Sequence, residues 1–206
     1  MELQDVVRRR RMVRRYTDDP VPPHVVDRAL RNAVRAPNAG FSQGWAFLVL
    51  DAPGDVARFW EATTPTARAE RPSRWLRGMR TAPVVIVPLA SESTYRERYA
   101  RPDKTRPGHP PPTWPVPYWY VDAGMAALLI LQTAVDEGLG ACFFGIPGER
   151  VQTFNEAFDV PADHAPVGAI TLGHPAPDDA PGGSPTTRTR RPLDDVVHRG
   201  RWGTRA

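Results

Sequence analysis

The 206-residue sequence predicts an α+β or α/β domain, and three observations support this prediction. Hydrophobic residues make up 41% of the chain, which is enough to bury a core. Segments with the 3.6-residue spacing of amphipathic helices alternate with short apolar segments that are typical of strands. No apolar run reaches the roughly 18 residues of a membrane span. We therefore expect one domain over residues 1–206, with no membrane partner.

The elements are predicted as follows, in chain order. Residues 2–12 can form an opening helix, and the apolar spacing over 26–34 predicts a second helix. Residues 102–117 contain seven prolines and are predicted to be a long loop, which a strongly apolar helix over 122–137 follows. Residues 181–206 are a polar, arginine-rich tail that we expect to pack on another subunit. Short apolar segments predict the strands, of which the third could also be a turn: 45–50, 83–88, 142–146 and 167–173.

Composition and motifs exclude several function classes. The net charge of +4 raises nucleic acid as a partner, but 26 of the 27 cationic residues are arginine, as GC-rich codon usage would produce. We therefore predict no nucleic-acid partner. The five histidines lack metal-ligand spacing, so no metal site is predicted. Motifs of P-loop enzymes, Rossmann dehydrogenases and serine hydrolases are missing. The first residues lack the apolar segment of a secretory signal, so we expect a cytoplasmic protein.

Three segments carry a family resemblance. The first is Arg-Arg-Met-Val-Arg-Arg-Tyr at 10–16, and the second is Ala-Pro-Asn-Ala-Gly-Phe-Ser-Gln-Gly-Trp-Ala-Phe at 36–47. The third runs from Asp122-Ala123-Gly124 through Gly138-Leu139-Gly140 to Phe144-Gly145. In order and spacing they resemble the nitroreductase family, and Phe41-Ser42-Gln43 is closer to its branch of benzimidazole-forming and deiodinating enzymes. The resemblance implies an α+β fold with a central, mostly antiparallel sheet flanked by helices, an intertwined homodimer, and flavin mononucleotide (FMN) as cofactor.

The resemblance also implies which residues bind the flavin phosphate. Guanidinium groups bind phosphate oxygens in planar pairs and stay charged. Arg10 and Arg14 are four residues apart and could share a helical face, with Arg11 beside them. In the family, a basic pair in the tail reaches the same phosphate, and its spacing matches Arg188 and Arg190. The alternative for both clusters is a solvated basic surface.

Other matched residues are expected around the flavin ring. A loop along the ring would contain Pro37, Asn38, Ala39, Gly40 and Gln43, or this segment could be an ordinary helix-ending turn. Phe144 and Gly145 match a turn whose backbone N–H donates to flavin N5. Met12 stands where the family often has serine, and Arg77 (or Arg74) falls where a basic residue contacts N1 and O2.

The expected activity follows from the cofactor. NAD(P)H would reduce the flavin and leave, and a small aromatic acceptor would then stack on the same face. The acceptor pocket is predicted to contain Phe41 and three aromatic residues that could instead anchor the proline-rich loop: Trp114, Tyr118 and Trp119. A specialised biosynthetic flavin oxidase or dehydrogenase and a flavin-storage protein stay open as alternatives. Cys142 is predicted to be a buried structural thiol.

Overall fold

A computed structural model describes residues 1–105, 113–180 and 184–204. The nine α-helices of this part are α1 Leu3–Arg9, α2 Pro23–Ala33, α3 Pro53–Thr63, α4 Thr66–Glu70, α5 Arg74–Met79, α6 Glu92–Tyr99, α7 Tyr118–Asp136, α8 Val151–Ala157 and α9 Ser184–Thr187. Its five strands are β1 Trp45–Leu50, β2 Val84–Ala90, β3 Gly140–Phe144, β4 Ala165–Pro166 and β5 Ala169–Gly173. Short 3₁₀ turns lie at 39–41, 148–150 and 193–195.

The strands form one open sheet in the order β1-β2-β5-β3. The short strand β4 also pairs with β2. Every pairing of these strands is antiparallel. The expected α+β architecture with an antiparallel sheet flanked by helices is therefore confirmed. β1 and β3 form the two ends of the strand order.

Two apolar layers enclose the sheet. Side chains alternate along β2, so Val84 and Ile86 join one core cluster while Val85 and Val87 join the other. The first cluster is completed by α2 and α7, and the second contains side chains of α3, α5 and α8. All seven residues of β2 are buried, which is why its sequence is a continuous apolar run rather than an alternating one.

Most predicted elements are confirmed, but the opening helix is wrong in its extent. α1 ends at Arg9, and the following residues are extended, with Met12 in a bridge to Ala141. Arg10 and Arg14 therefore do not share a helical face. α7 begins at Tyr118, four residues before the predicted start, so Tyr118 and Trp119 belong to the helix, whereas Trp114 precedes it. Residues 106–112 of the proline-rich segment, and 181–183 and 205–206 of the tail, lie outside the described residues.

Helix α7 is the central helix of the fold. Its 19 residues are long and apolar enough to match a membrane-spanning helix by length and composition, although such a match is also typical of core helices. One face, which includes Ala126, Ile130 and Ala134, is buried against the sheet and α2. The opposite face leaves Val121 and Leu128 exposed, so this helix has an apolar surface that the described part of the chain does not cover.

Candidate functional site

Residues 10–16 form an extended arm that runs beside β3. The Val13 N–H donates to the Ala141 carbonyl over 3.0 Å, and Met12 makes a parallel bridge to the same residue. Tyr16 is buried, and its hydroxyl donates to the Val13 carbonyl over 2.6 Å and lies 2.8 Å from the Thr171 hydroxyl. These contacts attach the arginine-bearing arm to the free edge of the sheet.

Helix α5 supports the arm from the other side. Gly78 faces the arm so closely that a Cβ built on it would lie 2.3 Å from the Arg14 carbonyl oxygen. The Tyr16 N–H also donates to the Thr81 hydroxyl over 2.8 Å, just beyond the helix. Arg77 is exposed on the same helix, and its guanidinium donates to the Pro72 carbonyl. The structure thus places Arg77 on an element that directly contacts the arm.

Two aspartates engage part of the arginine cluster. Arg11 forms an ion pair with Asp179, whose other oxygen accepts the Arg14 N–H over 3.0 Å. Arg15 pairs with Asp178 over 2.7 Å. Within the described part of the chain, Arg10 has no acidic partner. Arg11 and Arg15 therefore hold residues 178–179 against the arm. Arg10 does not take part in these ion pairs.

The Phe144–Gly145 turn lies at the end of β3, beside α3 and α5. The Phe144 ring is stacked on Trp60 with centroids 5.5 Å apart and meets the edge of Trp75 at 5.6 Å. Gly145 is exposed, and a Cβ built on it would meet no described atom within 4 Å. The arm and this turn therefore both contact α5, and the turn leaves an open backbone position at Gly145.

The 37–43 loop has a strained and well-supported backbone. Gly40, Phe41 and Gln43 all have positive φ angles of 65°, 53° and 51°, which are uncommon for residues with a side chain. Backbone strain of this kind persists only where surrounding contacts impose it, and it is concentrated at functional sites. Asn38 supplies one such contact, because its Oδ1 accepts the Gln43 N–H over 2.9 Å and its Nδ2 donates to the Ala36 carbonyl.

Helices α6 and α7 supply the other supports of this loop. The Arg98 Nε donates to the Gly40 carbonyl over 2.8 Å, while its two terminal nitrogens bind Asp103 at 2.8 and 2.7 Å. The Tyr99 ring covers Gly40 so closely that a Cβ there would lie 2.8 Å from it. From α7, the Asp122 carboxylate accepts the Ala39 N–H over 3.2 Å. Asp122 is only 4% exposed, and burial raises the pKa of its carboxyl above the usual value.

The sheet register shows how far the loop lies from the Phe144–Gly145 turn. Phe144 pairs with Ala169, which is level with Val87 and hence with Leu48 of β1. Both the turn and the loop before Trp45 therefore lie toward the same end of the sheet. They are at opposite edges, however, three strand spacings or about 14 Å apart in the strand-to-strand direction.

The chain matches the sequence model of the nitroreductase family over residues 7–174. The chain belongs to the nitroreductase family. A protein of Methanothermobacter thermautotrophicus, named as an NADH dehydrogenase/NAD(P)H nitroreductase, is 27% identical over 98% of this chain and 88% of its own length. The predicted family and the coarser prediction of an oxidoreductase are confirmed.

Solved structures of nitroreductase-family proteins share the fold of this chain. A Desulfovibrio desulfuricans nitroreductase in complex with FMN has a TM-score of 0.68 and 24% identity, covering 96% of this chain and 95% of that one. NfrA2 of Bacillus megaterium has a TM-score of 0.74 and 19% identity, covering 98% of this chain and 76% of that one. At such identities the likeness shows the fold alone.

The aromatic residues predicted to line the acceptor pocket of this nitroreductase-family chain have two different environments. Trp114 is wedged against α6, with its ring 5.0 Å from Tyr95 and 5.2 Å from Tyr99, and Trp119 lies 5.9 Å from Tyr95. These contacts support the alternative that Trp114 and Trp119 anchor the proline-rich segment. Tyr118 is half-buried in the first turn of α7. Phe41 is 72% exposed at the tip of the 37–43 loop.

The tail of this nitroreductase-family chain is exposed over the described residues 186–204, apart from two half-buried positions. Arg188 and Arg190 are exposed after α9, and within the described chain neither makes an ion pair. Trp202 is 88% exposed, although its ring contacts His198 at 4.1 Å. Both tail arginines are therefore exposed to solvent in the single chain.

The residues that support the 37–43 loop were not predicted from the sequence. Arg98 and Tyr99 lie on α6, a helix whose polar sequence gave no periodic signal. Asp122 did carry a signal, because a carboxylate near the start of a strongly apolar helix requires a partner when it is buried. Cys142 is buried as predicted, and burial raises the pKa of its thiol to about 11 despite the neighbouring Arg14 guanidinium.

Proposed function

We propose that this chain is an FMN-dependent oxidoreductase that uses NAD(P)H to reduce small aromatic acceptors such as nitroaromatics and quinones. The observation that carries the proposal is that α5, the helix that bears Arg77, contacts both the arginine arm, at Gly78, and Phe144 of the open turn, through Trp75. The arm, α5 and the turn come from segments that are more than 60 residues apart in the chain.

The residues around the turn fit a flavin nucleotide in charge and shape. A phosphate needs cationic donors, and Arg10 and Arg14 would supply them from the arm while Arg11 holds Asp179. Gly145 leaves open space into which a flat ring could approach the backbone. Arg77 would place positive charge near one edge of the ring and favour its anionic reduced form. When bound, FMN would supply the two-electron redox chemistry, taking a hydride from NAD(P)H and passing it to the acceptor by a ping-pong cycle.

The 37–43 loop would contact the flavin from a second subunit. In one chain it lies about 14 Å across the sheet from the Phe144–Gly145 turn, so a two-fold partner is the simplest source of both groups. The exposed apolar face of α7 and the exposed tail, which ends near Trp202, give this partner a surface to cover. Arg188 and Arg190 would then reach a phosphate after the tail packs on the dimer. Light scattering of the purified protein should give twice the chain mass, and a monomer would contradict this arrangement.

The activity is tested first by loading and reducing the cofactor. The purified protein should retain FMN, and anaerobic stopped-flow mixing with NADPH or NADH should bleach the flavin absorbance. Mixing the reduced protein with a nitroaromatic or a quinone should restore it, with parallel double-reciprocal plots in the steady state. Arg10→Gln should weaken FMN binding, whereas Arg31→Gln, an exposed arginine on α2, is the matched control.

Other outcomes separate the alternatives. A protein that retains FMN but is not bleached by either nicotinamide would be a specialised oxidase or dehydrogenase, a storage protein, or an enzyme with another reductant such as a deazaflavin. Oxygen consumption with a panel of oxidisable substrates then distinguishes oxidase from storage. A protein that does not bind FMN at all would refute the proposal.

A further inference from the structure

A cavity of about 300 Å³ lies beside the Phe144–Gly145 turn, on the α3 and α5 side of the sheet. Its walls are formed by the end of α3, the segment that follows it, the start of α5 and residues 144–147. This volume is at the lower end of the range for small-molecule sites and suits a ligand of one or two rings. It shares Trp60, Trp75, Phe144 and Gly145 with the surroundings of the turn, but its lining includes no residue of the arm or of the 37–43 loop.

The inner walls are aromatic. Trp60 is stacked parallel to Phe144 at an angle of 5°, and Trp75 meets Phe144 edge-on at 79°. Leu76 and Ile146 complete the apolar lining. Flat aromatic walls favour a flat aromatic occupant, because stacked and edge-on contacts both add to the burial of apolar area.

One polar atom within this lining lacks a partner. The Trp60 side chain is only 5% exposed, and its indole Nε1 has no hydrogen-bond acceptor among the described residues. A buried N–H without an acceptor is costly, and buried indoles usually find one. Trp60 lines the cavity, so a ligand oxygen that reaches this nitrogen would supply the missing acceptor.

The rim carries positive charge. Arg68 and Arg71 line the cavity and are exposed, and its lining, within the described chain, contains no aspartate or glutamate. The occupant suited to these walls, this donor and this rim is a planar aromatic molecule that bears a carboxylate. We propose that the cavity binds aromatic carboxylates and selects them as acceptors beside the redox centre. The role of the cavity in selecting acceptors rests on the proposed function, whereas its binding of aromatic carboxylates does not.

Binding can be tested without turnover, by calorimetric titration of the FMN-loaded protein with 4-nitrobenzoate and with nitrobenzene. The two probes differ in the carboxylate, so the wild type should bind 4-nitrobenzoate more tightly. The double variant Arg68→Gln/Arg71→Gln should weaken 4-nitrobenzoate about tenfold and leave nitrobenzene unchanged, because each exposed charge contributes modestly. Arg31→Gln/Arg58→Gln removes the same charge from α2 and α3 and should change neither affinity.

Trp60→Phe keeps an aromatic wall but removes the indole N–H, and it should weaken 4-nitrobenzoate several-fold. In turnover, the ratio of kcat/KM for 4-nitrobenzoate to that for nitrobenzene should fall toward one in the Arg68→Gln/Arg71→Gln variant. If 4-nitrobenzoate displaces FMN, or binds all variants equally, the proposal is overturned. If it binds as predicted but NAD(P)H does not reduce the flavin, the proposed function fails while the binding site stands.

Discussion

Replacement of Gly78 by alanine tests whether the contact between α5 and the arginine arm is as close as the structure shows. In most helices this change is favourable, since glycine costs about 0.5–1 kcal/mol relative to alanine. Here the new Cβ would lie 2.3 Å from the Arg14 carbonyl oxygen, and this contact is with backbone rather than with a flexible side chain. Either the arm or α5 must therefore move.

The magnitude follows from two opposing effects. Overpacking a close contact costs about 1–3 kcal/mol, and the gain in helix propensity offsets up to about 1 kcal/mol of that. A net loss of about 1–2 kcal/mol in a chain of this size should lower the Tm by about 2–8 °C. Because the arm carries Arg10 and Arg14, the same shift should weaken FMN binding. Calorimetry of the FMN-free protein and a flavin fluorescence titration measure the two effects.

Gly54→Ala is the matched control, because a Cβ at Gly54 in α3 meets no described atom within 4 Å. This variant should be at least as stable as the wild type, with unchanged affinity for FMN. The reasoning is refuted if Gly78→Ala is as stable as Gly54→Ala. A stability loss without weaker FMN binding would show that the arm does not hold the cofactor.

Three further predictions concern side chains that the sequence did not assign or assigned only as structural. Arg98→Met should free the Gly40 carbonyl and raise the KM for the acceptor more than it lowers kcat, whereas Arg96→Met, which breaks a Glu92 pair on the same helix, should change neither. Burial raises the pKa of Asp122 in the folded state, so the free energy of unfolding should fall as pH rises through that pKa. Asp122→Asn should remove this decline. Denaturation from about pH 4 to about pH 8 should therefore show the free energy of unfolding of the variant rising relative to that of the wild type. A difference between the two proteins that does not change with pH would contradict the raised pKa of Asp122. With its pKa at about 11, only about one in a thousand Cys142 thiols is ionised at about pH 8, so iodoacetamide should label the native protein far more slowly than the unfolded one. Equal labelling rates would show that the thiol is accessible.

The sequence predicted the elements with strong periodicity or continuous apolar runs. α2, β1 and β2 were found within a few residues of their bounds because burial alone determines their patterns. The opening helix was extended too far, since the chain after Arg9 becomes extended and pairs with β3 from Met12 onward, a contact that no local pattern reveals. Helix α6 was missed for the opposite reason, because its polar surface leaves only Tyr95 buried.

The candidate site was predictable in its segments but not in the roles of its arginines. Spacing alone cannot distinguish Arg10 from Arg11, because both lie in the same motif. The fold distinguishes them, since the arm is extended and residues 178–179 return to it after β5. Asp179 neutralises Arg11, and each such pair reduces the charge available to a phosphate. The arginine motif is therefore divided: Arg11 and Arg15 fix residues 178–179 to the arm, whereas Arg10, which has no acidic partner within the described chain, keeps the charge that we propose for the phosphate.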